Sequence, residues 1–456
     1  MNEQTNRPAK QTERANNEQP ANDYSAVSSP DTSGPSSAAN ATHEQPKTRV
    51  ILTLSLIPLI MVLGNSMIVP VLPQAKKALD ISQFQVSLLI TLFSVPAGIA
   101  IIFAGILADR IGRKKVIIPG LFLYGLGGII AGLAAAVGDG SYALLLGGRI
   151  VQGIGAAGTA PIAMTLVGDL YDRKQRSKAL GIIEASNGVG KVLSPILGSL
   201  LALITWYALF FAFPLLCLPA ILFVWWFIRE PTAGQKPPPL NQYKERIVNI
   251  WKSEGKWLTA AFLAGAVTLF LLFGVLFYLS DILEKTYKID GIKKGLVLAI
   301  PLLAMSGTSY WCGSFIQKHI RFVKPFVVFG LALLTIVMGL VPFIKQNVLL
   351  IALLVVGGIG SGLVLPCLNT LITSSVRLAE RGIITSLYNS VRFFGVALGP
   401  PVFGAFMDAK TALFLTLSGV SAISCVSALA FIKRPHRLKS NNGHERTFTR
   451  PHVQHP

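Results

Sequence analysis

The chain has 456 residues, 52% of them hydrophobic and only 14% charged, with a mean hydropathy of +0.57 and a formal net charge of +20. Soluble domains carry about 25% charged residues, so there is too little charge here to cover a water-facing surface, which argues against a soluble enzyme. Lys and Arg come in short groups between apolar runs, which is the distribution of a multi-span membrane protein and not of a nucleic-acid binder.

Residues 1–47 are rich in Asn, Gln, Ser, Thr, Ala and Pro and cannot bury enough apolar surface to offset their ordering entropy. They are expected to form a disordered tail. A bilayer-crossing helix needs about 20 mainly apolar residues. Six such runs fill the first half, at 49–72, 85–107, 115–136, 142–166, 179–203 and 206–228. A polar stretch, 229–256, contains Pro237-Pro238-Pro239. Six more runs follow at 257–280, 294–316, 325–344, 347–372, 383–407 and 410–432. The expected organisation is therefore a tail (1–47), a six-helix bundle (48–228), a linker (229–256), a second six-helix bundle (257–433) and a basic tail (434–456). This makes an all-α membrane protein of twelve spans.

Loops after spans 2, 4, 6, 8 and 10 carry 4, 4, 6, 3 and 2 Lys or Arg, against 2, 0, 0, 4, 1 and 1 for the loops after the odd-numbered spans. The positive-inside rule then places both termini and the linker in the cytoplasm. The halves are also related. Shifting residues 149–200 by 205 matches Gly153 to Gly358, Gly155 to Gly360, Gly190 to Gly395 and Pro195 to Pro400. Parallel repeats of this kind imply a substrate site between the bundles near mid-membrane.

Three motifs stand out. Between spans 2 and 3 runs Gly105-Ile-Leu-Ala-Asp109-Arg110-Ile-Gly112-Arg113-Lys114-Lys115, in which a single acid stands among four bases that can anchor a turn at an anionic leaflet. Span 4 contains Arg149 and Gln152, followed by Gly153 and Gly155. Span 5 spaces Gly181, Gly190, Ser194, Pro195 and Gly198 so that small residues permit close helix approach around a proline bend. Together these resemble the major facilitator superfamily, in its drug:proton antiporter branch. The resemblance implies that Gly105, Asp109, Arg110, Gly112 and Arg113 form the loop that helps hold the outward-open state, and that Arg149 takes part in proton coupling. Ser194 and Ser199 depart from the branch pattern, which has Gly at both places.

Span 5 also holds Glu184 and Lys191, seven residues apart and so on one helix face, about 10 Å apart along the axis. Arg392 in span 11 falls at a similar depth. Each such charge costs roughly 2.5–3.5 kcal/mol at mid-membrane on insertion scales, which favours placement in a shared water-accessible chamber. Glu184 is expected to carry the proton, with Arg149 and Lys191 tuning it; the competing expectation is a fixed ion pair with Lys191 or Arg392. Asn65, Gln152, Asn187, Lys191, Asn369, Tyr388, Asn389 and Arg392 are the expected cavity residues, with Tyr278 and Trp311 as aromatic walls. Cations outnumber the acid, so the expected substrate is an amphipathic compound with an acidic or neutral head, exported in exchange for protons from the cell membrane. An importer or exchanger of an organic anion is the alternative on the same fold. A membrane-embedded lipid-modifying enzyme is disfavoured, because no nucleophile, metal cluster or paired acid and base stands out. The expected partners are a small-molecule substrate, protons and the lipid bilayer; no nucleic acid, cofactor or metal is expected. His436, His444, His452 and His455 lack zinc-site spacing, and a monomer is the default expectation.

Overall fold

Hydrocarbon offers no partner for backbone N–H and C=O groups, so apolar segments that cross it satisfy those groups internally as helices. The computed structural model describes residues 47–137, 142–171, 173–230, 240–375, 378–432, 437–438 and 446–447; residues 1–46 and the four tail histidines lie outside them. The first half comprises α1 (Lys47–Ser66), α2 (Leu72–Leu79), α3 (Gln83–Ile111), α4 (Lys114–Ala136), α5 (Tyr142–Ala157), α6 (Ala160–Leu170), α7 (Arg173–Leu201) and α8 (Ala208–Phe227). The second comprises α9 (Leu240–Lys285), α10 (Gly291–Lys318), α11 (Val323–Leu340), α12 (Asn347–Ser375), α13 (Leu378–Ala405) and α14 (Lys410–Phe431). One short antiparallel pair, β1 (Arg437–Leu438) with β2 (Arg446–Thr447), lies in the stretch expected as tail, with Arg437 opposite Thr447.

Among the described residues, ten helical stretches are long and apolar enough to cross a membrane. With α7 and α13, of 29 and 28 residues, they make up the twelve expected spans. Those two are less apolar because they carry Glu184, Lys191 and Arg392. Span 4 is split into α5 and α6 at Gly158 and Thr159, and α9 begins at Leu240, well inside the stretch expected as linker. Prolines inside α3, α4, α7, α8, α10, α12 and α13 are accommodated, because neighbouring helices re-satisfy the freed backbone groups.

The internal repeat has a packing cause. A Cβ on Gly153 would overlap the Phe93 carbonyl on α3, and one on Gly358 would overlap the Pro301 carbonyl on α10. Those are equivalent helices of the two halves, and only glycine permits such close approach. The pairs α3–α13 and α7–α10 join the halves and are themselves equivalent under the repeat.

Candidate functional site

The signature residues of span 5 divide between two neighbours. Gly190 approaches Leu59 and Val62 on α1, and a Cβ on Gly198 would overlap the Met67 carbonyl. Pro195 and Ser199 instead meet Gly295 on α10, where an added Cβ would stand 2.5 Å from the Pro195 oxygen. Ser194 is fully buried, and its hydroxyl donates back to the Gly190 carbonyl. A serine therefore fits where the branch has glycine, because it supplies its own partner and leaves the α1 contact intact.

The α7–α10 pair opens along its length. Near mid-span Ser306 Oγ donates to the Gly188 carbonyl at 3.2 Å. Farther toward the Asp109 turn, Gly181 and Gly313 have no atom within 4 Å of an added Cβ. The α3–α13 pair stays in contact beside that turn, where a Cβ on Gly105 would stand 2.8 Å from Ser386 Oγ. Glu184, one turn from Gly181 on α7, is exposed; Asn187 and Lys191 are half-buried. Lys191 is within electrostatic reach of both Glu184 on its own helix and Arg392 on the other half, so this face of α7 looks across the junction. Among the described residues no ion pair within 4.0 Å joins Glu184 to Lys191 or Arg392. That is evidence against the fixed-pair alternative.

Four of the expected cavity residues meet on the second half. One guanidinium nitrogen of Arg392 donates to Asn369 Oδ1 at 3.4 Å and to Asn389 Oδ1 at 3.3 Å, and the guanidinium carbon lies 5.3 Å from the centre of the Tyr388 ring. Arg392 Nε, Tyr388 Oη and Thr385 Oγ1 are buried without a hydrogen-bond partner. Both carboxamide oxygens are turned to Arg392, so the amide N–H groups remain as donors. With the guanidinium they make the cluster rich in donors and suited to an acceptor group. Asn389 and Thr385 also line a crevice partly open to solvent, together with Gly105, Asp109, Thr165 and Ser386. The crevice links the Asp109 turn to the Arg392 cluster.

Arg149 corrects the expectation of one shared chamber. It has no exposed surface. Its Nε donates to the Leu89 carbonyl at 2.8 Å, and Nη1 donates to Gln152 Oε1 at 2.6 Å and to the Gly64 carbonyl at 3.4 Å. The Phe93 ring lies beneath it at 4.5 Å. Carbonyls of α1 and α3 thus hold this cation in a buried niche inside the first half, with Gln152 fully buried beside it; Asn65, on α1, is 8% exposed. Nearby, Tyr124 on α4 donates to the Ile60 and Met61 carbonyls. No sequence pattern pointed to Tyr124, since its partners are backbone atoms. Of the expected aromatic walls, Tyr278 packs edge-on against Phe414, and Trp311 stacks on Phe315 and is 53% exposed. Neither ring joins the Arg392 cluster.

At the turn, Arg113 lies 3.7 Å from Asp109 and donates to the Thr165 carbonyl at 2.9 Å. Gly112 has φ +103°, and a Cβ there would stand 2.7 Å from Glu230 Oε2, so glycine is required twice over. Glu230 accepts from the Arg113 and Lys114 amides, capping α4, whose N-terminus favours an anion. Sequence reading missed Glu230; its one signal is an acid directly after span 6. Arg110 is exposed.

This arrangement of helices and interior polar groups is that of a multi-pass membrane transporter. Residues 54–400 and 321–454 match the profile of the Major Facilitator Superfamily, and the chain belongs to that family. The bacillibactin exporter of Bacillus subtilis (strain 168) is 45% identical over 383 residues, which are 84% of this chain and 95% of that protein. Multidrug resistance protein MdtL of Escherichia coli O9:H4 (strain HS) is 31% identical over 180 residues, 38% of this chain and 45% of that one. Among solved structures, the human organic anion transporter MFSD10 (TETRAN) superposes with a TM-score of 0.67 at 20% identity, covering 84% of this chain and 99% of that one. An inward-facing, unoccupied bacterial homolog of the human lysosomal transporter Spinster gives 0.65 at 20% identity, covering 84% and 95%. At that identity the two structures show the fold alone.

Proposed function

We propose that this transporter exports a small amphipathic compound in exchange for protons, by alternating access across the plasma membrane, with the Asp109 turn on the cytoplasmic side. Likeness to the bacillibactin exporter supports outward flux and makes bacillibactin the first substrate to test. The observation that supports the coupling is Glu184, an exposed carboxylate on α7 that among the described residues is tied up in no ion pair. Glu184 is the proton carrier, and the Arg392 cluster holds the substrate head.

The sign of coupling constrains that head. Exchange requires substrate and proton to exclude one another at the carrier, and such exclusion is reciprocal. An anion near Glu184 would favour the protonated carboxyl and would therefore travel with the proton. A hydroxyl or amide donor bonds more strongly to the ionised carboxylate than to the neutral carboxyl, so its binding disfavours the proton. The substrate accordingly presents donors to Glu184 and acceptor oxygens to Arg392 and its two asparagines. Proteoliposomes loaded with bacillibactin and given an imposed pH gradient test the proposal. Flux should follow the gradient in sign and size, and flux indifferent to it would exclude proton exchange.

A further inference from the structure

At the end opposite the Asp109 turn, a group of side chains outside the central site ties the two halves together. Glu284, near the end of α9, has a partner on each carboxylate oxygen. Lys77 of α2 in the first half donates to Oε1 at 2.8 Å, and Lys294 in the first turn of α10 donates to Oε2 at 2.7 Å. One turn earlier on α9, Asp281 repeats the arrangement: Lys285 of the same helix pairs with it at 3.0 Å, and Gln83, the first residue of α3, donates to it at 3.3 Å. Gln83 is itself positioned by Lys76, which donates to its side-chain oxygen at 2.9 Å. Beneath these pairs, buried Ser280 donates to the Val69 carbonyl at 2.9 Å.

The two acids share a pattern. Each has one partner inside its own half, which moves with it, and one partner in the other half, which need not. Lys294 is 1% exposed, so losing Glu284 would strand a buried cation, a costly outcome. Lys77 is 71% exposed and can return to water when the halves part, leaving Glu284 still paired. Gln83 and Ser280 are neutral and leave no stranded charge either. A pair whose cation is mostly in water contributes little individually, which suits a contact that must break in every cycle.

We infer that Lys77–Glu284, Gln83–Asp281 and Ser280–Val69 form a detachable latch closing the transporter on the face opposite the Asp109 turn, with Lys294 as the fixed arm that keeps Glu284 in place when Lys77 leaves. This rests on the alternating-access reading above but not on proton coupling or on the substrate. Lys77 and Gln83 are positioning residues: they bias which face is closed and touch no substrate.

The test uses the full chain in proteoliposomes without substrate or pH gradient, so its outcome is independent of the coupling proposal. In a Ser280→Cys background, a water-soluble maleimide reports opening of this face, with the unsubstituted chain giving the background from the native thiols. Lys77→Glu and Gln83→Ala should each raise the labelling rate severalfold, while Lys77→Arg should leave it within twofold. Unchanged labelling in both Lys77→Glu and Gln83→Ala overturns the latch. A second measurement avoids altering Ser280: in the Gln83→Cys/Asp281→Cys pair, oxidation should stop the flux of whichever compound the parent chain is first shown to carry, and a reductant should restore it. Flux that continues after demonstrated cross-linking overturns the latch as well.

Discussion

Arg149 lies 4.5 Å above the ring of Phe93 with no exposed surface, held by carbonyl oxygens and an amide and, among the described residues, by no carboxylate. A cation so enclosed braces α5 against α1 and α3. Its removal would take a donor from the Leu89 and Gly64 carbonyls and leave Gln152 Oε1 without one, and a bare buried acceptor costs roughly 1–3 kcal/mol. Arg149→Ala should therefore lower the unfolding temperature in detergent markedly. Arg149→Lys should fall between, because an ammonium cannot reproduce the fork of donors. An alanine variant as stable as the parent would show that this bracing is not needed.

Glu184→Gln removes the proton carrier without removing bulk. The variant should bind substrate and exchange it across the membrane at equal pH, yet fail to accumulate it against a gradient. A drop of about tenfold or more in gradient-driven accumulation, with exchange within about threefold, corresponds to losing a term of at least ~1.4 kcal/mol. Full gradient-driven accumulation in this variant would move the carrier to another residue.

The donor requirement at Glu184 can be separated from overall polarity with a matched pair of probes. A phenol-bearing amphiphile and its O-methyl ether differ in one donor while keeping the oxygen as an acceptor. Efflux of the phenol should quicken when the outside is made acidic, and efflux of the ether should not. If both respond alike, coupling does not run through a hydrogen bond to the carboxylate.

Two glycines of the span 5 signature should respond in opposite ways. Gly198 faces the Met67 carbonyl where a Cβ has no room, whereas nothing lies within 4 Å of one on Gly181. Gly198→Ala forces α1 and α7 apart and should cost about 1–3 kcal/mol, as overpacking does. Gly181→Ala relieves a flexible helix position and should be neutral or stabilise by about 0.5–1 kcal/mol. Thermal unfolding of the two variants side by side decides this, and equal losses would rule out the packing explanation.

How far each feature was legible in the sequence follows from the range of the contacts involved. Twelve spans were legible as apolar runs because each run is judged within itself, and ten of them are long and apolar enough to cross a membrane by themselves among the described residues. The repeat was legible because Gly153 and Gly358 answer the same demand in each half. The charged face of α7 followed from helical periodicity between Glu184 and Lys191. Arg149 misled because its partners are backbone carbonyls, which every residue possesses and no composition reveals. Lys77 and Glu284 stand 207 positions apart, and in the sequence their loops look like scattered charge weakening the orientation rule. Only the meeting of the two halves gives those residues a shared role.

The helix α9 runs unbroken for 46 residues. At 1.5 Å per residue it is about 69 Å long, more than twice the roughly 30 Å hydrocarbon layer. One end carries Ser280, Asp281 and Glu284, and the helix is too long for both of its ends to lie within that layer. A few degrees of tilt at one end of such a rod become a displacement of several ångströms at the other.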